Sequence, residues 1–403
     1  MVNSYRKKCL CCNKSKLNKI IDLGQHSFAD RFIPKKKIKQ VDPKYPLILD
    51  LCSHCKFIQS RAITDPKKRY SEIDYSYTST NSQYSRNHWI DFAKNLNKKF
   101  NVKGKKIYEI GSNDGFLIHC LKKMGAKVLG IDASEFMVKI SKKRVRTINC
   151  IFNYDQSIKI KKKYGKADII IANNVFNHSD NPKNFLQGIQ NLLKENSIFI
   201  FEQPYFASGL YSLKFDQIYH EHISYFTAKN IQSILNNCKL KIFSMEKNKY
   251  HGDSLRTIAV KKDFKLKKKV NLQFIISENK KGIYKKKFYT EFNYKIKLKK
   301  EKLLKKIDKF RENNFKIAGI GAGAKSNTFL TYYGLNNKLI DFLTDTSKFK
   351  KNKYTPVTRI PIKDDAELKK YKKLVCIILS WNISKIVINK IKKINNKIKI
   401  IYT

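Results

Sequence analysis

No stretch of the chain approaches the ~18 consecutive apolar residues that a membrane-spanning helix needs. The opening Met1-Val2-Asn3-Ser4-Tyr5-Arg6 lacks the apolar core of a secretory signal and runs straight into cysteines. Both absences lead to the expectation of a cytoplasmic protein with reduced thiols. The nine cysteines are an odd number, which fits poorly with a complete disulfide framework. Acidic residues are few: 32 Asp and Glu stand against 85 Lys and Arg, for a formal charge of +53. Arginine is scarce within that excess. Nucleic-acid sites favour arginine forks and stacked aromatics, whereas this charge is lysine spread from end to end, as on a solvated surface. It should still attract anionic substrates at low salt. What is abundant argues for packed structure. A hydrophobic share of 42%, with 22 Tyr and 25 Phe, opposes disorder. The 403 residues suffice for two or three domains with their own cores.

The stretch that organises the rest is Ile107-Tyr108-Glu109-Ile110-Gly111-Ser112-Asn113-Asp114-Gly115-Phe116-Leu117. It reads as a short strand, a glycine turn and the start of a helix. Gly111 and Gly115 let the backbone pass close to a ligand, and the N–H groups at the helix start suit a polar partner. The next apolar segment ends in Asp132, placed to meet the hydroxyls of a ribose. A further strand-like run, Asp168 to Asn174, ends in polar residues that should face the same crevice. The E-x-G-x-x-x-G spacing is similar to the first motif of class I S-adenosylmethionine (SAM) methyltransferases. That resemblance implies SAM held by Glu109, Gly111, Asn113, Gly115, Asp132 and Asn174.

Toward the N-terminus, Cys9-x-x-Cys12 and Cys52-x-x-Cys55 form two knuckles. Four thiolates surround one tetrahedral Zn²⁺ with no position left for water, so such a site would be structural. Cys11 beside Cys12 and the long gap between the knuckles leave unligated thiols as the other reading. Residues 45 to 51 read as a strand feeding the second knuckle. Tyr75, Tyr77 and residues 79 to 82 make a Tyr/Ser/Thr cluster before a helix over 84 to 100.

Two further constellations carry ionisable groups. His178 follows the Asn174 strand end. Tyr219-His220-Glu221-His222 places four such side chains in succession, read as His-x-His on a strand. No third metal ligand follows, and Tyr, Glu and His together suit proton transfer. Packed polar residues are the alternative. Arg256, in a strand after a turn at residues 249 to 254, is a candidate anion partner. Residues 261 to 312 are lysine-rich with helical spacing, one long helix or a pair. At 315 to 328 a second strand, glycine turn and helix appears. Gly319, Gly321 and Ala324 match G-x-G-x-x-A, followed by Asp345, a weak dinucleotide signature.

Taken together, the knuckles, Glu109 to Leu117, Asn174 to His178, Tyr219 to His222, His251 to Arg256, Gly321 to Leu330 and Ser380-Trp381-Asn382 resemble the SAM-dependent sugar C-methyltransferases. The resemblance runs along most of the chain. It implies an α/β protein in five parts: a Cys₄ zinc module (1–65), a helical connector (66–104), a class I Rossmann-like SAM domain (105–260), a helical linker (261–312) and a Rossmann-like nucleotide-sugar domain (313–403). It implies methylation of a nucleotide-linked 4-keto-deoxyhexose at C3. His222 would take the C3 proton, Glu221 would assist His222, and Tyr219 and His178 would contact the sugar, with Tyr77 lining the same pocket. Lys325, Asn327 and Tyr354 would hold the nucleotide diphosphate. Gly252-Asp253-Ser254 stands where the family has Gly-Gly-Ser, which bears on the sugar and base more than on the reaction. The charge and the Cys₄ module also motivate a nucleic-acid (RNA) methyltransferase, although no Asn-Pro-Pro-Tyr follows Asp168. A non-catalytic zinc scaffold is the third reading.

Overall fold

A computed structural model describes residues 4–70, 78–80, 82–265 and 270–403. The N-terminal part is a three-stranded antiparallel sheet of β1 (Leu17–His26), β3 (Tyr45–Cys52) and β4 (Ile58–Ser60), with the two-residue β2 (Ile33–Pro34) outside it. The strand read from residues 45 to 51 is therefore present, and it runs into the second knuckle.

The central sheet comprises β5 (Lys106–Ile110), β6 (Lys127–Asp132), β7 (Thr147–Asn149), β8 (Ala167–Ile171), β9 (Leu193–Pro204), β10 (Leu240–Asn248) and β11 (Ser254–Lys261). Their order is β10-β11-β9-β8-β5-β6-β7. Pairings from β9 through to β7 are parallel, and β11 runs antiparallel to both its neighbours. β8 is Ala-Asp-Ile-Ile-Ile with Ile169 to Ile171 buried, the near-continuous apolar run of a strand covered on both faces. Strand order reverses between β5 and β8, so a crevice opens beyond their carboxyl ends. Helices start where side chains meet their free N–H groups: Ser82 caps Gln83–Phe100, Asn153 caps Tyr154–Tyr164, and Asn181 caps Pro182–Leu192 with proline in the first turn.

The lysine-rich segment is a pair of helices, Gln273–Lys280 and Lys286–Glu312. The longer one buries Tyr289, Phe292, Ile296, Leu303 and Ile307 on one face and leaves lysines on the other. It leads into a five-stranded parallel sheet of β12 (Lys316–Ile320), β13 (Phe342–Thr344), β15 (Ile362–Lys363), β16 (Leu374–Ile378) and β17 (Lys399–Tyr402), in the order β15-β13-β12-β16-β17. The remaining strand, β14 (Lys353–Tyr354), leaves that sheet to pair with β2. One buried cluster spans all three parts: Leu49 and Ile58, Phe206 and Ile218, then Ile296, Leu330 and Ile377.

Candidate active site

The four knuckle thiols converge. All their sulfurs lie within 4.8 Å of one another, with Cys9–Cys55 at 3.5 Å and Cys12–Cys52 at 3.6 Å. A tetrahedron of Zn–S bonds of about 2.3 Å puts sulfurs about 3.8 Å apart, so the spacing fits one Zn²⁺. Crowding pushes the Cys9 and Cys55 thiols up from their ordinary range, each by a hydrogen bond to a neighbouring thiol before burial. A dication held by Cys9, Cys12, Cys52 and Cys55 would relieve that crowding. Cys11 is buried outside the tetrad and accepts from Asn237 Nδ2 at 3.2 Å.

The first glycine turn has the geometry of a cofactor cradle. Gly111 and Gly115 adopt φ of +72° and +73°. A Cβ on Gly115 would stand 2.4 Å from Ser141 Oγ, and one on Gly111 2.8 Å from Val175 Cβ. Asp132, at the end of β6, accepts from the N–H groups of Asn113 and Ser134, both at 2.8 Å. Over the turn lie Ser79, whose N–H donates to Asn113 Oδ1 at 2.9 Å, and Thr80, whose hydroxyl donates to Asp114 at 2.6 Å. Ser79 and Thr80 thus cover the turn. Tyr77 lies outside the described residues. Glu109 is buried and its Oε2 has no partner among the described residues, as has Asn174 Oδ1. Burial, then the charges of Asp114 and Asp132, holds the Glu109 carboxyl well above its ordinary value. Carboxyl groups enclosed this way suit a ligand with positive charge, and SAM carries a sulfonium and an ammonium.

His178 and His222 meet beside that sheet. The rings are 5.2 Å apart, and the Tyr219 ring stands 4.0 Å from His222. The expected strand at His220–His222 is instead a turn, closed by the His222 N–H to the Tyr219 carbonyl at 3.0 Å. The backbone that follows is committed elsewhere, because Ile223 and Ser224 both donate to the Asn177 carbonyl, at 2.9 and 3.0 Å. Those bonds tie the histidine turn to the loop after β8. His222 Nδ1 lies 3.0 Å from the Gln217 carbonyl, so Nδ1 carries the proton and Nε2 is the basic nitrogen. Burial, then His178 and Lys325, keeps the imidazole well below its ordinary pKa. His178 is lowered to about 3, first by burial and then by Arg69. Glu221 is raised to about 8, by burial and then by Asp30.

The zinc module forms a wall of this site. β4 hydrogen-bonds alongside the histidine turn, Ser60 N–H to Ile223 O at 2.9 Å and Tyr225 N–H to Ile58 O at 3.0 Å. Phe28 and Tyr45 stand 5.7 and 5.8 Å from the His220 ring. Asp30, Gln217 and this wall are not foreseen by any motif in the sequence. Asp30 follows a turn with no signature, and Gln217 acts through its backbone.

The other substrate candidates fall in different places. Arg256 donates to Glu202 at 2.7 and 2.9 Å and to Glu246 at 3.2 Å, and Glu202 also binds His88 at 2.8 Å. Its guanidinium is committed to bridging strands. Lys325, half-buried, donates to the His251 carbonyl at 2.9 Å and is lowered to about 8 by burial. Asn327 Nδ2 donates to the Ala29 carbonyl, Asn327 Oδ1 is buried without a partner among the described residues, and Thr328 donates to the Ile218 carbonyl at 2.9 Å. Tyr354 sits in the β2–β14 pair. In the second glycine turn Asp345 accepts from Ala322 and Ser347, at 2.8 and 2.9 Å, as Asp132 does in the first. The helix after it, Ala324–Tyr333, packs on Phe215–Gln217, the short segment that leads into the histidine turn.

Three families match consecutive parts of the chain: a zinc binding domain over residues 9–70, a methyltransferase domain over 83–244 and a C-methyltransferase C-terminal domain over 249–402. C-methyltransferase NovU of Streptomyces niveus is 23% identical over 380 residues, which cover 93% of this chain and 90% of that protein. A ubiquinone biosynthesis O-methyltransferase of Coxiella burnetii is 28% identical over 110 residues, 27% of this chain and 47% of that protein. Among solved structures, the SAH-bound magnesium protoporphyrin IX methyltransferase of Synechocystis PCC 6803 matches with 19% identity and a TM-score of 0.36, over 44% of this chain and 83% of that one.

Proposed function

The chain belongs to the zinc-module family of SAM-dependent sugar C-methyltransferases, and from that premise we propose that it methylates C3 of a nucleotide-linked 4-keto-deoxyhexose. The observation that carries this reading is His222, its Nδ1–H bound by Gln217 and its ring neutral, fastened to the loop that follows a central strand of the SAM sheet. SAM, when bound, supplies an electrophilic methyl carbon.

The remaining work falls to the chain's own side chains. A C–H beside a ketone is acidic enough for an imidazole to remove its proton at a developing enolate. Nε2 of His222 is the base. Tyr219 and His178, packed on His222, are the groups placed to contact the sugar oxygens, and stabilising the oxyanion usually contributes more than any other effect in such catalysis. Enclosure of the site keeps water from competing for the enolate. Glu221 is buried and also feels the charge of Asp30, so its carboxyl retains its proton near neutral pH.

The test is purified protein incubated with SAM and nucleotide-linked 4-ketosugars. Gain of one CH₂ by mass, with loss of solvent-exchangeable hydrogen at C3, supports the reading. Methylation at an oxygen, or of RNA in place of the sugar, overturns it.

A further inference from the structure

A cavity of about 190 Å³ lies where residues 213–216 pass between the helix Lys286–Glu312 and the C-terminal sheet. Lys214, Lys299, Lys302 and Lys306 line it, with Trp381 and Asp216. Lys214 and Lys299 are half-buried, unlike the chain's many solvated lysines, while Lys302 and Lys306 stand exposed at the rim. Burial brings Lys214 down to about 8, with Lys299 and Lys325 adding repulsion, and burial also lowers Lys299. Asp216 is the side-chain carboxylate acting on both, and Lys214 also donates to the Thr403 oxygen, which lines the cavity. Asp216 is buried; Oδ2 accepts from Trp381 Nε1 at 2.5 Å, and Oδ1 has no partner among the described residues. The Trp381 ring has Lys214 and Lys325 each 4.9 Å from its centre. The cluster holds more positive charge than its carboxylate offsets, at a cost an anion would relieve.

We propose that this cavity binds a diphosphate group. Lys299, Lys302 and Lys306 follow a helical i, i+3, i+7 pattern, spanning about 10 Å along the axis, the reach of two linked phosphoryl groups. Lysine ammonium groups bind phosphate as mobile point charges. The volume is below the roughly 300 Å³ at which pockets start to enclose whole drug-sized ligands, so a diphosphate fits and a complete nucleotide does not. Trp381 walls the site toward Lys325, which acts on His222. The diphosphate therefore has two sources, a free diphosphate ligand or the substrate's own linkage, the latter resting on the function proposed above.

The test is calorimetric titration of the protein with inorganic pyrophosphate at 0.15 M NaCl, for wild type, the double variant Lys302→Ala/Lys306→Ala, and Lys305→Ala, an equally exposed neighbour that does not line the cavity. Binding by wild type, a loss of at least tenfold in the double variant and less than twofold in Lys305→Ala are expected, with SAM affinity equal in all three as the check on folding. Equal pyrophosphate affinity in wild type and double variant, or none in wild type, overturns the proposal. KM then separates the sources. A tenfold rise in KM for the nucleotide-linked ketosugar with kcat kept assigns the substrate's diphosphate, and an unchanged KM beside lost pyrophosphate binding assigns a free ligand. Failure of all ketosugars as methyl acceptors, with pyrophosphate binding intact, overturns the proposed reaction and leaves this site standing.

Discussion

At His222, a single backbone carbonyl sets the tautomer. Gln217 O can only accept, so it holds the Nδ1 proton and leaves the Nε2 lone pair for the proton abstraction proposed above. Replacing His222 by Ala is expected to lower kcat by about 10²–10⁴, the range for removal of a general base, with SAM affinity unchanged. A rate within a few-fold of wild type assigns the base elsewhere. Because His222 titrates well below 6.5, kcat/KM should stay level as pH falls through 6.5 and drop only at lower pH. Glu221 predicts a second feature. Its carboxylate form grows as pH rises through about 8. If that form steadies an imidazolium, kcat/KM rises through the same interval, and Glu221→Gln flattens that rise while keeping the acid limb. A wild-type profile without inflection near 8 removes Glu221 from the reaction. These residues were legible because Tyr, His and Glu in succession are uncommon. Gln217 was not, since its contribution is a carbonyl that every residue carries.

The elements show what spacing conveys and what it omits. Cys-x-x-Cys pairs and glycine turns depend on neighbours a few residues away, so the four thiols, both strand–turn–helix units and Asp132 could be placed from the sequence. The contact between β4 and the histidine turn joins residues 58–60 to 223–225, which no local pattern encodes. The second glycine turn looked like a nucleotide cradle by its residues alone. In the fold its helix presents Asn327 and Thr328 to the carbonyls of Ala29 and Ile218. On the function proposed above, the β4 contact also ties the zinc site to the reaction. Apparent Zn²⁺ binding energies of about 10–16 kcal/mol are folding energy in small modules. Loss of the ion should therefore loosen β4 and the Phe28–Tyr45 wall around His220. Stripping zinc with a chelator, or Cys55→Ser, is expected to abolish methyl transfer while the β5–β6 cradle still binds SAM. Metal content, SAM titration and activity on the same sample check this. Full activity at zero zinc would show the wall to be independent of the ion.

Over the whole molecule, the charge of +53 is the largest departure from an ordinary protein. Two unit charges 10 Å apart in water repel by about 0.4 kcal/mol, and each exposed lysine has several such neighbours. The ion pairs are mostly exposed, such as Lys19–Asp22, Lys99–Glu246 and Lys351–Asp364, and each is worth about 0–1 kcal/mol. Repulsion among the many unpaired lysines therefore outweighs attraction within the few pairs. The Debye length shrinks from about 30 Å at 0.01 M salt to about 8 Å at 0.15 M, which removes most of that repulsion and leaves buried pairs such as Arg256–Glu202 nearly intact. The melting temperature should rise by several degrees over this range of NaCl, where a protein held by surface ion pairs would lose stability. A scan against NaCl at fixed pH, repeated with a neutral osmolyte, separates screening from solvent exclusion. A fall in melting temperature with salt would mean that lysine–carboxylate networks, and not the apolar cluster from Leu49 to Ile377, dominate the joining of the parts. The same scan with RNA present bears on the lysine excess: contacts made only to phosphates weaken steeply with salt, so any RNA affinity should vanish by about 0.2 M while methyl transfer to the proposed ketosugar substrate persists.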